Sequence, residues 1–365
     1  MRTVAVLVAS SAWLVAPVAG AVAALAGCGG GHAAPDAQTQ IDDAPNPPPD
    51  AHQMTLADTG LCPDPGCQQI SADAHEYVPR FPLWADTATK RRWVSLPAGT
   101  KIDTTDPDHW VFPMGTKFWK EFTRDGIRVE TRYITKLAAD DDAPGAWFYI
   151  SFAWNQAQDA ASPVTAGVQN ANGTMQDIPS RADCQGCHEN LKPGRVLGFG
   201  AIQLDHTDPN GMLDLDKIDA MGWLSQSPPA ATNGAHYPFP ADATQAQNDA
   251  LGYLHANCGH CHNPSSTVHD MTPLVLRLDT TKLATVATTP TYLTTTNAAA
   301  LFPFSEGTTT YTTLIVPKDP DHSALNVRIN VPITATMNRH MPKLGSEMTD
   351  PQVTSLVLGW INALN

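Results

Sequence analysis

A chain of 365 residues with a formal charge of −14 is long enough for two domains. With 22 Lys and Arg against 36 Asp and Glu, its charge argues against binding nucleic acid through the phosphates. The acidic surface suits a basic partner protein or a small soluble carrier. The seven cysteines are the most informative part of the composition, because each falls in a distinct local pattern.

The chain opens with Met1-Arg2 and an apolar run to Ala26, interrupted by Pro17. A charged start followed by a hydrophobic middle is the pattern of a secretory signal, assigned to residues 1–27. It ends in Leu25-Ala26-Gly27-Cys28, which resembles a bacterial lipobox. That resemblance implies cleavage before Cys28 and lipidation of that cysteine. With Gly29 rather than Asp next, it further implies the outer membrane. The alternative is an uncleaved anchor, since the run is about long enough to span a bilayer. Either way the body is expected in the cell envelope, facing the periplasm, with no membrane contact beyond the N-terminal anchor.

Residues 28–75 are rich in Pro, Asp and Ala and carry few large apolar side chains, so they are expected to be a disordered tether. Within them, Cys62-Pro63-Asp64-Pro65-Gly66-Cys67 has the residues of a turn. In an oxidising compartment this favours a Cys62–Cys67 disulfide over two free thiols.

From residue 76 to about 170 the composition changes, and six tryptophans (Trp84, Trp93, Trp110, Trp119, Trp147 and Trp154) occur before residue 160. Residues 127–137 alternate apolar and polar side chains, the period of a half-buried strand. Strands are expected on either side, over 112–122 and 147–154. Asp125-Gly126 supplies the first hairpin turn, and Asp140-Asp141-Asp142 with Pro144-Gly145 the second. The acidic triplet is read as a solvated loop and the tryptophans as core, with Trp110 beside His109 as the pair able to line a groove. The fold class is therefore α+β: an antiparallel β-rich domain over 76–170, then a mainly helical domain over 171–365.

Two C-x-x-C-H stretches fall in that second part, Cys184-Gln185-Gly186-Cys187-His188 and Cys258-Gly259-His260-Cys261-His262. This is the pattern of c-type haem attachment. Two thiols two residues apart can each close a thioether onto a haem vinyl, and the following histidine lies under the iron. Two copies in an exported chain imply two covalently bound haems, with Cys184, Cys187, His188, Cys258, Cys261 and His262 as binding residues. The competing reading is a zinc site built from both C-x-x-C pairs.

Ser180 can cap a short helix carrying the first motif. The run over 194–200 can lie against the porphyrin edge, and Arg181, Lys192 and Arg195 can pair with propionates or be ordinary surface cations. The second motif has a fuller setting. Thr244 can cap a helix running to about Asn257. Met341-Pro342 offers a thioether in a constrained loop, and Asp350-Pro351 begins a terminal amphipathic helix with Val353, Val357, Trp360 and Ile361 at helical spacing. Met341 is the expected sixth ligand of the second iron. For the first iron the choice is open among Met221, preferred, Met212 and His206. The stretch from 263 to 341 is longer than a minimal haem domain needs and is expected to hold loops and short strands.

The order of helix, C-x-x-C-H, Met-Pro loop and terminal helix resembles a class I-like cytochrome c domain. As a set, Phe112-Pro113-Met114-Gly115-Thr116, Val129-Glu130-Thr131-Arg132, Trp154-Asn155, Leu197-Gly198-Phe199, the two haem motifs and Met341-Pro342 resemble a group of bacterial diheme c-type cytochromes, many of them lipoproteins. The resemblance runs from about residue 76 to the C-terminus and implies haem binding and electron transfer. A carrier of electrons at the cell envelope, serving a redox partner protein or a small soluble carrier, is the expectation. A diheme peroxidase-like oxidoreductase and a redox-sensing surface protein are the alternatives.

Overall fold

The computed structural model describes residues 50–189, 195–331, 340–343 and 345–365. All of them belong to one compact unit, 43–365. The leader and Cys28 lie outside the described residues. So does Lys192. Among the described residues no helix is long and apolar enough to cross a membrane.

The architecture is α+β, organised by a six-stranded antiparallel sheet in simple meander order. Its strands are β1 (His75–Glu76), β2 (Thr89–Ser95), β3 (Lys117–Arg124), β4 (Ile127–Lys136), β5 (Trp147–Trp154) and β6 (Ala161–Val164). The β3–β4 turn is Asp125-Gly126, with φ of 53° and 78°. Positive φ at both central residues is what a two-residue hairpin matching the strand twist requires. β3 begins at Lys117, later than residue 112. Gly115 adopts φ 83° and Thr116 turns back onto the carbonyl of Pro113, so the chain enters the strand only after a tight bend.

Each face of the sheet has its own cover. On one side, Trp93, Trp119, Tyr133, Phe148, Ile150, Phe152 and Trp154 pack with Ala51, Leu56, Leu61, Cys62, Cys67 and Ala74. This corrects the expected tether: the part of 28–75 that is described, from residue 50, is folded onto the sheet. A few leucines placed over tryptophans, with Thr59 accepting from the Trp119 indole at 2.8 Å, suffice to order it. Cys62 and Cys67 are joined by a disulfide with a Cα–Cα distance of 5.1 Å.

The other side carries Val94, Phe118, Trp147 and Tyr149, packed with Phe199, Leu204, Leu213, Leu215, Ile218 and Leu224. These last six come from the expected helical half, so the expected boundary near residue 170 does not separate two cores. Chain pairing reinforces the join, with bridges Tyr77↔Leu213 and Ile102↔Leu224. The acidic triplet is also more than a solvated loop. Asp141 pairs with Lys136, which is only 1% exposed, at 2.8 Å and accepts from the Trp147 indole.

The remaining elements are α1 (Arg181–His188), α2 (Ala201–Leu204), α3 (Leu215–Ala220), α4 (Gln245–Asn257), α5 (Pro290–Thr295), the hairpin β7 (Ala299–Glu306) and β8 (Thr309–Thr313), α6 (Ala324–Asn330) and α7 (Pro351–Ala363). α4 and α7 form the third core. Ala250, Leu251 and Leu254 meet Val353, Val357, Trp360 and Ile361, all at 5% exposure or less. Gly359 allows the close approach, since a Cβ there would lie 3.2 Å from that of Ala246. β7 and β8 lie in the long stretch between the second motif and Met341.

Candidate functional site

α1 starts with a reciprocal cap. The Ser180 hydroxyl accepts from the Asp183 amide, and the Asp183 carboxylate accepts from the Ser180 amide at 3.0 Å. The helix delivers Cys184 and Cys187 on one turn and His188 at its end. The His188 imidazole is then held by one specific bond, from Nδ1 to the Arg195 carbonyl at 2.6 Å. Arg195 in turn binds the carbonyls of His188, Glu189 and Asp141 and pairs with Asp142 at 2.6 Å. Donation from Nδ1 to a carbonyl fixes the tautomer and leaves the Nε2 lone pair available, the arrangement found behind metal-bound histidines. Burial pushes the His188 pKa down to about 4, which keeps the ring neutral. The Tyr149 ring lies over it at 5.4 Å.

α4 starts with a second reciprocal cap, Thr244 with Gln247, and runs straight into Cys258. The second motif is folded tightly. A Cβ on Gly259 would come within 2.6 Å of the His255 carbonyl and 2.8 Å of the Arg277 Cα. The His262 carbonyl accepts from Leu276 at 2.8 Å. Asn263 is fully buried and ties off the turn by donating to the carbonyls of Gly259 and His260, each at 3.0 Å. His262 is buried, with its Nδ1 unpaired. Burial pushes its pKa down to about 4 and the thiols of Cys258 and Cys261 up to about 12.

The fold brings the two motifs to each other. Cys187 lies in electrostatic reach of Cys261, and His188 in reach of His260. Lys120, Arg132, His188, Cys258 and His260 are enclosed deep in the protein, yet each keeps accessible surface. A cleft beside the second motif is lined by Trp110, Gly198, Gly200, His255, His260 and Arg277. Trp110 lines this cleft, with its indole nitrogen turned inward without a partner.

Other expected residues fall differently. Met221, at the C-terminal end of α3, is 41% exposed, which does not suit an axial sulfur shielded from water. The Nε2 of His206 is taken by the Val78 carbonyl at 2.8 Å. Met212 is half-buried. Arg195 is consumed in orienting His188, and Arg181 stacks over Phe148 at 5.0 Å, so neither is a ready propionate partner. Met341 is half-buried in the cluster that holds Cys258, Leu254 and Trp360. Beside it, His340 repeats the geometry of His188: it is 5% exposed, its Nδ1 meets the Val331 carbonyl at 2.6 Å, and its Nε2 is buried without a partner. Sequence reasoning passed over His340, since a histidine outside C-x-x-C-H carries no spacing signal.

The cysteines Cys184, Cys187, Cys258 and Cys261 are free thiols, and the chemistry of this donor set suits haem. Each motif ends in a neutral histidine, and a porphyrin supplies four of the iron's ligands itself. A zinc site would require the thiols to converge. Among the described residues no group of three or more His, Cys, Asp or Glu side chains is gathered to hold a metal ion. In comparisons with known proteins, no family model matches the chain, and no curated protein or solved structure does.

Proposed function

We propose that this chain is an exported diheme c-type cytochrome that carries electrons at the cell envelope. One haem is attached through Cys184 and Cys187 with His188 as axial ligand, the other through Cys258 and Cys261 with His262. The observation that carries the reading is the approach of two C-x-x-C-H motifs to each other, with His188 already held as a metal-bound histidine is held. Close motifs favour rapid transfer between the irons. A Met341 ligand would close the second iron to substrate and raise its potential relative to two histidines. The Cys62–Cys67 disulfide supports an oxidising compartment, in keeping with a lipid-anchored protein on the periplasmic side of the outer membrane. Its partner is then a redox protein or a small soluble carrier.

One feature favours a second, peroxidase-like reading. A cleft lined by His255, His260 and Arg277 lies at the second motif, and the Arg277 Nε is buried and unpaired there. An open iron with an acid–base group nearby is what peroxide chemistry needs. Absorption spectra of the reduced protein with and without carbon monoxide separate the two. A carrier gives two low-spin irons that ignore carbon monoxide. An iron that binds carbon monoxide and reacts with peroxide overturns the carrier reading.

A further inference from the structure

The face of the sheet that looks toward the two motifs carries a line of positive charge. Arg92 on β2 is directly opposite Lys120 on β3, which is directly opposite Arg132 on β4, which is opposite Ser151 on β5. Directly opposed residues on one sheet face have their Cβ atoms about 5 Å apart, and like charges there are destabilising. Lys90 lies on the same face one step along β2. Water reaches these side chains only in part: Arg92 is 4% exposed, and Lys90, Lys120 and Arg132 are half-buried.

The anions facing the line are few. Glu130, at 0% exposure, takes Arg132 in a two-pronged pair at 2.9 and 2.6 Å. Asp86 and Asp350 lie near Lys90, whose ammonium donates to the Leu83 carbonyl. That leaves the middle of the line. Among the described residues, the side chains of Arg92 and Lys120 have no hydrogen bond and no ion pair to the protein, and the Ser151 hydroxyl is buried without a partner. A cation drawn into a fold without an anion is costly, so the buried Arg92 beside the half-buried Lys120 points to a missing anion. The line lies beside the motifs: Arg132 is in reach of Cys184 and Cys187, and Lys120 of His188 and His260.

We propose that Arg92 and Lys120, flanked by Arg132 and Ser151, form the seat for haem propionates. This rests on the haem reading above and deepens it. Propionates are the only charged groups a haem periphery offers, and a guanidinium, an ammonium and a hydroxyl in a row give carboxylate oxygens the charge-assisted donors they need. The three strands span roughly 10 Å at ordinary strand spacing, enough for more than one carboxylate. The cations also have an electronic effect. Positive charge beside a haem disfavours the ferric state, so the seat raises the potential of the haem it holds.

The test uses the exported holoprotein, with haem content read first from its mass. Lys120→Met and Arg92→Met remove a charge, whereas Lys120→Arg and Arg92→Lys keep it. In the Met variants the midpoint potential of at least one haem should fall and the propionate bending band in the resonance Raman spectrum should shift, or one haem should be lost. The charge-keeping variants should stay near wild type in band, potential and haem count. Met variants with two haems, an unmoved band and an unmoved potential overturn the seat. So does an equal disturbance in the charge-keeping variants, which would mark a purely structural role. A wild-type protein without haem overturns the haem reading itself, a different result seen before any variant is compared.

Discussion

The two glycines inside the cysteine motifs should respond oppositely to alanine. Gly259 has no space for a Cβ: the added atom would meet the His255 carbonyl at 2.6 Å and the Arg277 Cα at 2.8 Å. Both are backbone, so the clash cannot be relieved by turning a side chain. Forced overpacking of this kind costs about 1–3 kcal/mol, and here the backbone that must move carries Cys258 and His262. Gly186 lies within α1, and a Cβ there meets nothing within 4 Å. Replacing a helical glycine by alanine stabilises by roughly 0.5–1 kcal/mol. Urea unfolding followed by circular dichroism should therefore place the Gly259→Ala midpoint below wild type and the Gly186→Ala midpoint at or above it. Haem incorporation should fall only in the former. If Gly259→Ala matches wild type, or both variants lose equally, the tight packing of the second motif against Arg277 is wrong.

Three further outcomes are expected. Met341→Ala should open the second iron to carbon monoxide, lower its potential and remove the methionine-to-ferric charge-transfer band, at a stability cost of about 2 kcal/mol for the lost packing; an unchanged spectrum would place the ligand elsewhere, with His340 the nearest alternative. Cys62 and Cys67 should resist thiol labelling until reduced, and replacing both by serine should cost about 2 kcal/mol, the chain-entropy value for so short a loop; labelling of the native protein contradicts this. Cys28→Ala should abolish lipidation and cleavage at that cysteine, read from the N-terminus and mass of the mature protein; a wild-type protein that keeps its leader overturns the lipid anchor.

The local signals were legible where sequence and backbone chemistry coincide. Asp125-Gly126 marked the β3–β4 turn, Ser180 and Thr244 marked the starts of α1 and α4, and Asp350-Pro351 marked α7. What was hidden depends on distant partners. Lys90-Arg91-Arg92 does not read as a buried strand, yet β2 is central because Trp93 and Val94 each find a core on opposite faces. The alternation in β4 is visible in the sequence, but period two alone does not show that its polar members are drawn in too: Glu130 is 0% exposed and Arg132 is half-buried. Residues 50–75 lack a core of their own and borrow the one beneath Trp119. Met221 had the right residue type and spacing, and only the packing of α3 shows its side chain facing water.

The central claim is that both C-x-x-C-H motifs carry covalent haem. The most direct measurement is the mass of the exported protein under denaturing conditions, which strips every group not held by a covalent bond. The account predicts the mature chain plus two haems, with each attached to one of the peptides containing Cys184-Cys187 or Cys258-Cys261 after proteolysis. A mass equal to the bare chain, or to the chain with a single haem, contradicts it.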